Sequence, residues 1–451
     1  MEQDQGLKKT MGLFTALSIV VGIVIGGGVF FKPEAIYTAT NGAPGLGIVA
    51  WIIGGIITLC AGLTVAEAAA SITETGGMMI YIREMWGEKL SFLTGWMQVV
   101  LYYPGTVAAL AVMFSEQFCQ MIGDNSLRAV IAVMMIAIVT ILNLLDAKFG
   151  SLVQSISTAC KVVPIVILIV FGLIKGTGTN PILSPMLGNS VSFGVAFGQV
   201  LIATLFVYDG WINIGSIAGE LKNPGKDLPK AIIGGISIVM ALYIAINLAY
   251  LWVLPANELA KVSVPAALVA DKIFGSMGGE IISIGILIAA FGSLNGYLLT
   301  GPRVVFALSK KGYLPFSKSL KKINQGGSPI NAIILTAVIG AIYAATGEFN
   351  LISNLEIFTV WIFYVLTFIG IFKLRFTRPN MERPYKVLGY PVIPAIAIAG
   401  GIFVLINQLF MAGLNSSLIA IGGILITLLG LPVHRYMVKK EKIKNEHKNV
   451  S

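Results

Sequence analysis

The chain has 451 residues, of which 56% are hydrophobic and only 12% charged, about half the charged fraction of an ordinary soluble domain. A mean hydropathy of +0.86 means that the apolar excess faces something other than water, which excludes a cytosolic enzyme and, despite a net charge of +10, a nucleic-acid-binding protein. Both histidines, His434 and His447, stand near the C-terminus, and Cys60, Cys119 and Cys160 form no CxxC, so no histidine triad, metal site, disulfide framework or cofactor is expected.

A helix crosses a bilayer with roughly 20 apolar residues. Twelve segments qualify: 12–40, 44–70, 90–121, 127–145, 151–174, 191–219, 230–254, 277–308, 329–346, 352–373, 391–411 and 414–433. The lead with Lys8 and Lys9 is no cleavable signal, because the apolar stretch behind it is too long. With the N-terminus placed inside, alternate loops hold 24 of the 31 Lys and Arg residues on the cytoplasmic side and five outside. That asymmetry predicts a multi-pass plasma-membrane protein with both termini cytoplasmic. The basic excess then needs no partner beyond the bilayer.

Glycine clusters fall inside two of these segments. The first reads Gly22-Ile-Val-Ile-Gly26-Gly27-Gly28, and the sixth reads Phe206-Val-Tyr208-Asp209-Gly210-Trp211. Glycine eases unwinding, and unwound backbone at membrane depth is tolerated where it lines a cavity or binds a ligand. The breaks stand about 183 residues apart, each in the first helix of a five-segment block. Five is odd, so the two blocks enter the membrane with opposite orientation. This pattern predicts an inverted-repeat transporter with a midplane site. The plainer reading of Gly26–Gly28 is close helix packing.

At these residues the chain resembles the amino acid–polyamine–organocation superfamily, and within it the L-type amino acid transporters. It is especially similar to the bacterial serine/threonine and alanine–serine–cysteine exchangers. Further matching motifs are Glu74-Thr-Gly-Gly-Met-Met-Ile-Tyr81, Gly219-Glu220-Leu-Lys222-Asn223-Pro224, Leu228-Pro229-Lys230, Asn295-Gly296, Arg303 and Lys311-Gly312-Tyr-Leu-Pro315. The resemblance implies an all-α integral membrane protein of 12 transmembrane helices. Its fold would be a 5+5 inverted repeat (LeuT-type) with helices 1 and 6 broken, followed by two extra C-terminal helices. The expected units are a cytoplasmic N-terminus (1–11), repeats at 12–175 and 176–376, helices 11 and 12 at 377–433, and a basic tail at 434–451.

The resemblance also implies sodium-independent exchange of small neutral L-amino acids such as Ala, Ser, Thr, Cys and Gly. A zwitterion suits unwound backbone. The N–H groups of Gly26, Gly27 and Gly28 can hold the α-carboxylate at a helix N-terminus. Carbonyls near Val24 and Phe206 can accept from the α-ammonium. In the family, the positions of Val24, Gly27, Gly28, Phe206 and Asp209 flank the substrate. Ile25 and Val207 share the same unwound stretches, and Tyr243 could add a hydroxyl. Phe206 is a candidate gate or ordinary packing. Asp209 departs from a small uncharged family residue.

Lys161 lies mid-segment, about 15 Å from either interface, too deep to snorkel. One reading puts its ammonium where sodium-coupled relatives hold sodium, bridging carbonyls near Gly22 and the hydroxyl of Ser293. A second makes it the carrier of a proton-coupled symporter, and a third a mere tie between helices. Glu67, Glu116 and Arg303 stand near helix ends and read as solvated. The stretch from Glu74 to Lys89 suits a helix or hairpin in the cytoplasmic interface, as a vestibule plug or a surface anchor. The short loop from Ile122 to Ser126 lacks the cysteine by which eukaryotic relatives bind a glycoprotein, so no heavy-chain partner is expected and the chain could act as a monomer. A channel would need a continuous polar path, and a membrane enzyme clustered acids or histidines; neither pattern is present in the sequence.

Overall fold

The computed structural model describes residues 9–145, 147–347, 349–411 and 413–450. Lys8 and the polar lead lie outside them, as do the side chains of Lys148 and of the tail from 441 onward. The helices in chain order are α1 (Leu13–Val24), α2 (Gly28–Ala39), α3 (Gly45–Ser71), α4 (Met78–Trp86) and α5 (Glu88–Met97). A π-turn at Gln98–Tyr102 leads into α6 (Tyr103–Ile122), followed by α7 (Arg128–Leu145), α8 (Ala147–Lys175) and α9 (Phe193–Val207). A 3-10 stretch, Trp211–Glu220, precedes α10 (Pro224–Val253), the short α11 (Ala256–Leu259), α12 (Pro265–Phe274) and α13 (Ser276–Lys310). The remainder is α14 (Ser317–Leu320), α15 (Ile330–Ala344), α16 (Phe349–Thr377), α17 (Val392–Ile406), α18 (Leu414–Leu428) and α19 (Gly430–Val450).

Eleven helical stretches among the described residues are long and apolar enough to cross a membrane. The expected ninth segment is α15, apolar but only 15 residues long. No strand occurs among the described residues, only an isolated parallel bridge between Met11 and Leu221. The stretch Glu88–Ile122 is the most enclosed of the eleven and the one beginning at Leu414 the least. Apolar side chains on the outer helices, such as Leu152, Ile156 and Val163 on α8, are exposed, as lipid contact demands.

Local sequence explains several boundaries. Asn223 precedes α10 with Pro224 at its first position, where a missing N–H costs nothing. Gly312, at φ +73°, follows the end of α13 in the left-handed conformation that glycine adopts freely. The first break spans Ile25 to Gly27 between α1 and α2. The second follows Val207 and turns at Gly210, whose φ is +105°. A Cβ there would stand 2.5 Å from Ile23 Cγ2 and 2.9 Å from Tyr297 Oη, so glycine is required twice over.

Two expectations are corrected. Of the two readings of the segment from Glu74 to Lys89, the surface anchor does not hold, although Glu74 and residues 87–89 are exposed. In α4, Met78, Met79, Ile80, Tyr81, Ile82 and Met85 are all buried, and the helix packs against α16 and the 3-10 stretch. Its charges pair along one edge: Arg83 with Glu74 at 2.6 Å and with Glu84 at 2.9 Å, and Glu84 with Arg378 at 2.7 Å. Burial alone would raise the Glu84 carboxyl, but the hydrogen bonds from Arg378 and Arg83 outweigh it and hold it below the usual range.

Nor are Glu67 and Arg303 solvated. Arg303 is 1% exposed and donates through Nε to Glu220 Oε1 at 2.8 Å and through an Nη to Oε2 at 3.2 Å. Glu67 is buried between Arg375 and Arg383 and accepts from the Val387 N–H at 2.8 Å. Their partners come from distant segments, so position near a helix end said nothing of burial. Glu116 alone stays half-buried, 4.0 Å from Arg128. Removing one partner of a buried pair strands the other charge, at about 3–5 kcal/mol. Arg303→Met should therefore lower the unfolding temperature in detergent sharply, and adding Glu220→Gln should recover most of the loss. Equal stability of the single variant and the wild type would show that the pair contributes nothing.

Candidate functional site at the helix breaks

The two breaks face one cavity. Its wall is formed by Ile23, Val24 and Gly26–Gly28 from the first break, and by Phe206, Val207 and Asp209 from the second. Thr106, Ala109, Leu110 and Met113 of α6, Tyr297 of α13 and Glu356 of α16 complete it. Ile25 and Tyr243, expected at the site, stand outside this wall. Ile25 is fully buried with its carbonyl turned to Lys161, and Tyr243 donates to the Val24 carbonyl at 2.8 Å from behind.

The backbone of the first break divides its polar groups. The Gly26 N–H donates to the Val24 carbonyl at 2.7 Å, which with Tyr243 fills both lone pairs of that oxygen. Gly26 therefore does not offer its N–H to the cavity here, and Val24 does not offer its carbonyl. The opening N–H groups of α2, at Gly28 and Val29, have no helical acceptor and sit at the positive end of the helix dipole. Space is tight. A Cβ on Gly27 would stand 1.9 Å from Met113 Sδ, and one on Gly28 3.0 Å from Val207 Cγ2, whereas Gly26 has 3.4 Å to Ser293 Oγ. Phe206 is partly exposed toward the cavity, with the Lys32 ammonium 4.9 Å from its ring centroid.

Lys161, fully buried on α8, reaches behind the break. Its Nζ donates to the Gly22 carbonyl, to the Ile25 carbonyl at 2.9 Å and to Ser293 Oγ at 3.0 Å, with the Ala289 carbonyl at 3.4 Å. An ammonium has three donors, and three short acceptors meet it. The chain thus ties α8, the end of α1 and α13 through one side chain. Beside it, Asn143 Nδ2 donates to Asn295 Oδ1 at 2.8 Å, and Asn295 Nδ2 to Gln154 Oε1 at 3.0 Å, joining α7, α8 and α13. Gly296 lets α13 approach α1, because a Cβ there would meet Ile23 Cγ1 at 2.5 Å.

Asp209 lines the cavity with no cationic partner among the described residues, and each of its carboxylate oxygens accepts from a tyrosine hydroxyl. Tyr102 Oη donates to its Oδ2 at 2.7 Å and Tyr364 Oη to its Oδ1 at 2.8 Å. Asn213 Nδ2 donates to Tyr102 Oη at 3.0 Å, and Tyr103 Oη to Asn213 Oδ1 at 3.1 Å. Sequence reasoning missed Tyr102, Tyr364, Thr106, Met113 and Glu356. For Glu356 a signal existed, an acid inside an apolar span. For the others none did, since isolated tyrosines and threonines are common in such helices.

The chain has relatives among known proteins. The amino acid permease family model matches residues 11–429. The serine/threonine exchanger SteT of Bacillus subtilis (strain 168) is 40% identical over 98% of this chain and 99% of its own length. The human b(0,+)-type amino acid transporter 1 is 31% identical over 89% of this chain and 82% of its own. The human large neutral amino acids transporter small subunit 2 is 30% identical over 95% and 80%. With the family model spanning residues 11–429 and a 40% identical relative matching nearly end to end, the chain belongs to the amino acid permease family and is a membrane transporter, not an enzyme.

Proposed function

We propose that the protein is a sodium-independent antiporter of small neutral L-amino acids, Ala, Ser, Thr, Cys and Gly, working by alternating access. The likeness to a serine/threonine exchanger supports the substrate class. Residues 12–175 and 176–376 would be the inverted repeats, with 377–433 added, the tail from 434 and both termini cytoplasmic, in a bacterial cell membrane. No heavy chain is needed in this reading, since Cys119 is buried.

The observation that carries it is the Lys161 ammonium on the Gly22 and Ile25 carbonyls and Ser293 Oγ. A fixed positive charge already satisfies the backbone that a diffusible cation would otherwise bind, so no sodium is required at that place. The amino acid lies in the cavity with its carboxylate on the free N–H groups of Gly27, Gly28 and Val29. Its ammonium faces the Phe206 end and Asp209. A proton-carrying role for Lys161 draws less support, because the Gly22, Ile25 and Ala289 carbonyls around it only accept, and a neutral amine has one donor fewer than the ammonium to offer them.

The test uses sodium-free proteoliposomes loaded with serine or left empty. Labelled serine should enter the loaded vesicles alone, at a rate that sodium does not change. Entry into empty vesicles, or a rate that rises with sodium, would reject the reading.

A further inference from the structure

Glu356 is a buried acid that the exchange mechanism above leaves idle. It lines the cavity, is 2% exposed and receives no basic side chain from the cavity wall. Its hydrogen-bond partner is Thr106, whose Oγ1 stands 2.7 Å from Glu356 Oε2 and 2.8 Å from the Tyr102 carbonyl. A hydroxyl has one proton, and a carbonyl can only accept. Both contacts are full two-centre hydrogen bonds when Thr106 donates to the carbonyl and Glu356, as a carboxylic acid, donates to Thr106; an ionised Glu356 would have to share that single proton with the carbonyl. Asp209, on the same cavity, is arranged the opposite way, with two tyrosine hydroxyls aimed at its two oxygens. Two acids facing one cavity cannot cheaply both be ionised, and the hydrogen bonds assign the charge to Asp209 and the proton to Glu356.

The polar side chains that line the cavity with Glu356, and those bonded to them, are hydroxyls, amides and one further carboxyl. From the π-turn and α6 come Tyr102, Tyr103 and Thr106; from the second break, Asp209; from α13, Tyr297; and Tyr364 stands on α16 itself. Two cations stand by the cavity and both are engaged elsewhere: Lys32 lies over Phe206, and Lys161 sits behind the first break on the Gly22 and Ile25 carbonyls and Ser293 Oγ. The charged pair of Glu67 with Arg375 lies at the far end of α16. When the cavity opens to water Glu356 can ionise; when it closes, an ionised Glu356 would be an uncompensated charge cut off from water.

We propose that Glu356 is a proton-binding site of the transport cavity, so that the cavity closes only with both an amino acid and a proton aboard. This rests on the amino acid exchange reading, and its test separates the two. The proton comes from water on whichever side is open and returns to water on the other, so strict exchange moves no net proton. In serine-loaded, sodium-free proteoliposomes, uptake should fall as external pH rises, approaching about tenfold per pH unit at the alkaline end for a single required proton. Calorimetry of serine binding in two buffers of different ionisation heat should count proton uptake at alkaline pH. Glu356→Gln should flatten the pH profile and remove the proton uptake, whatever its absolute rate. A Glu356→Gln profile that still follows the wild type, or a wild type that binds serine with no proton uptake at any pH, would overturn the proposal. The calorimetric count needs only the wild type and stands even if the variant does not fold. Exchange that is insensitive to pH defeats this inference alone; absence of exchange at every pH defeats the exchange reading.

Discussion

Lys161→Ala is expected to lose exchange by a factor on the order of 10–100 while still eluting as a single folded species. The ammonium serves the carbonyls of Gly22 and Ile25, and Ser293 Oγ lies 3.1 and 3.0 Å from the same two oxygens. Serine has one proton, so without the lysine it can satisfy one carbonyl and leaves the other orphaned. A buried unsatisfied acceptor costs about 1–3 kcal/mol, which converts at about 1.4 kcal/mol per tenfold to the expected range. The loss falls on function because the orphaned groups belong to the first break itself. A Lys161→Met variant separates charge from volume: it refills the stem but donates nothing, and it should be as impaired as alanine. Wild-type exchange in either variant would remove Lys161 from the mechanism.

The position of both breaks could be read from glycine content, because each costs a helix its hydrogen bonds and little else in the alphabet lowers that cost. Lys161 could be singled out for a similar reason. A charge in mid-membrane has few physical solutions, and backbone carbonyls freed by a break are one of them. Gly22 and Ser293 as its partners come from the resemblance, which places the ammonium where sodium-coupled relatives hold sodium, and Ile25 and Ala289 complete the set. The acids behave differently. Asp209 meets Tyr102 and Tyr364 from 107 and 155 residues away, and Glu356 meets Thr106 across 250. Such pairings leave no local periodicity, so neither the tyrosine cradle nor the Thr106–Glu356 pair was visible. The same blindness placed Glu67 and Arg303 in solvent, although Arg375 and Glu220 bury them. Local sequence shows where backbone is weak; which side chains close around the weakness depends on packing.

Gly27→Val is expected to weaken serine binding by up to roughly 100-fold, through a neighbour rather than by direct contact alone. The new Cβ would start 1.9 Å from Met113 Sδ, so the thioether must move. Met113 lines the cavity between Ala109 and Leu110 on one side and the break on the other, and its flexible end can rotate into that space. The variant then fills the volume the amino acid would occupy, in addition to an overpacking cost of about 1–3 kcal/mol. Truncating the neighbour tests this directly. Met113→Ala in the Gly27→Val background should restore a good part of the affinity, because it removes the atoms that were displaced. If the double variant binds no better than Gly27→Val, the loss comes from the break's own backbone, and the N–H groups at Gly27 and Gly28 carry more of the carboxylate binding than the cavity volume does. If Gly27→Val binds serine normally, the amino acid does not lie at this break.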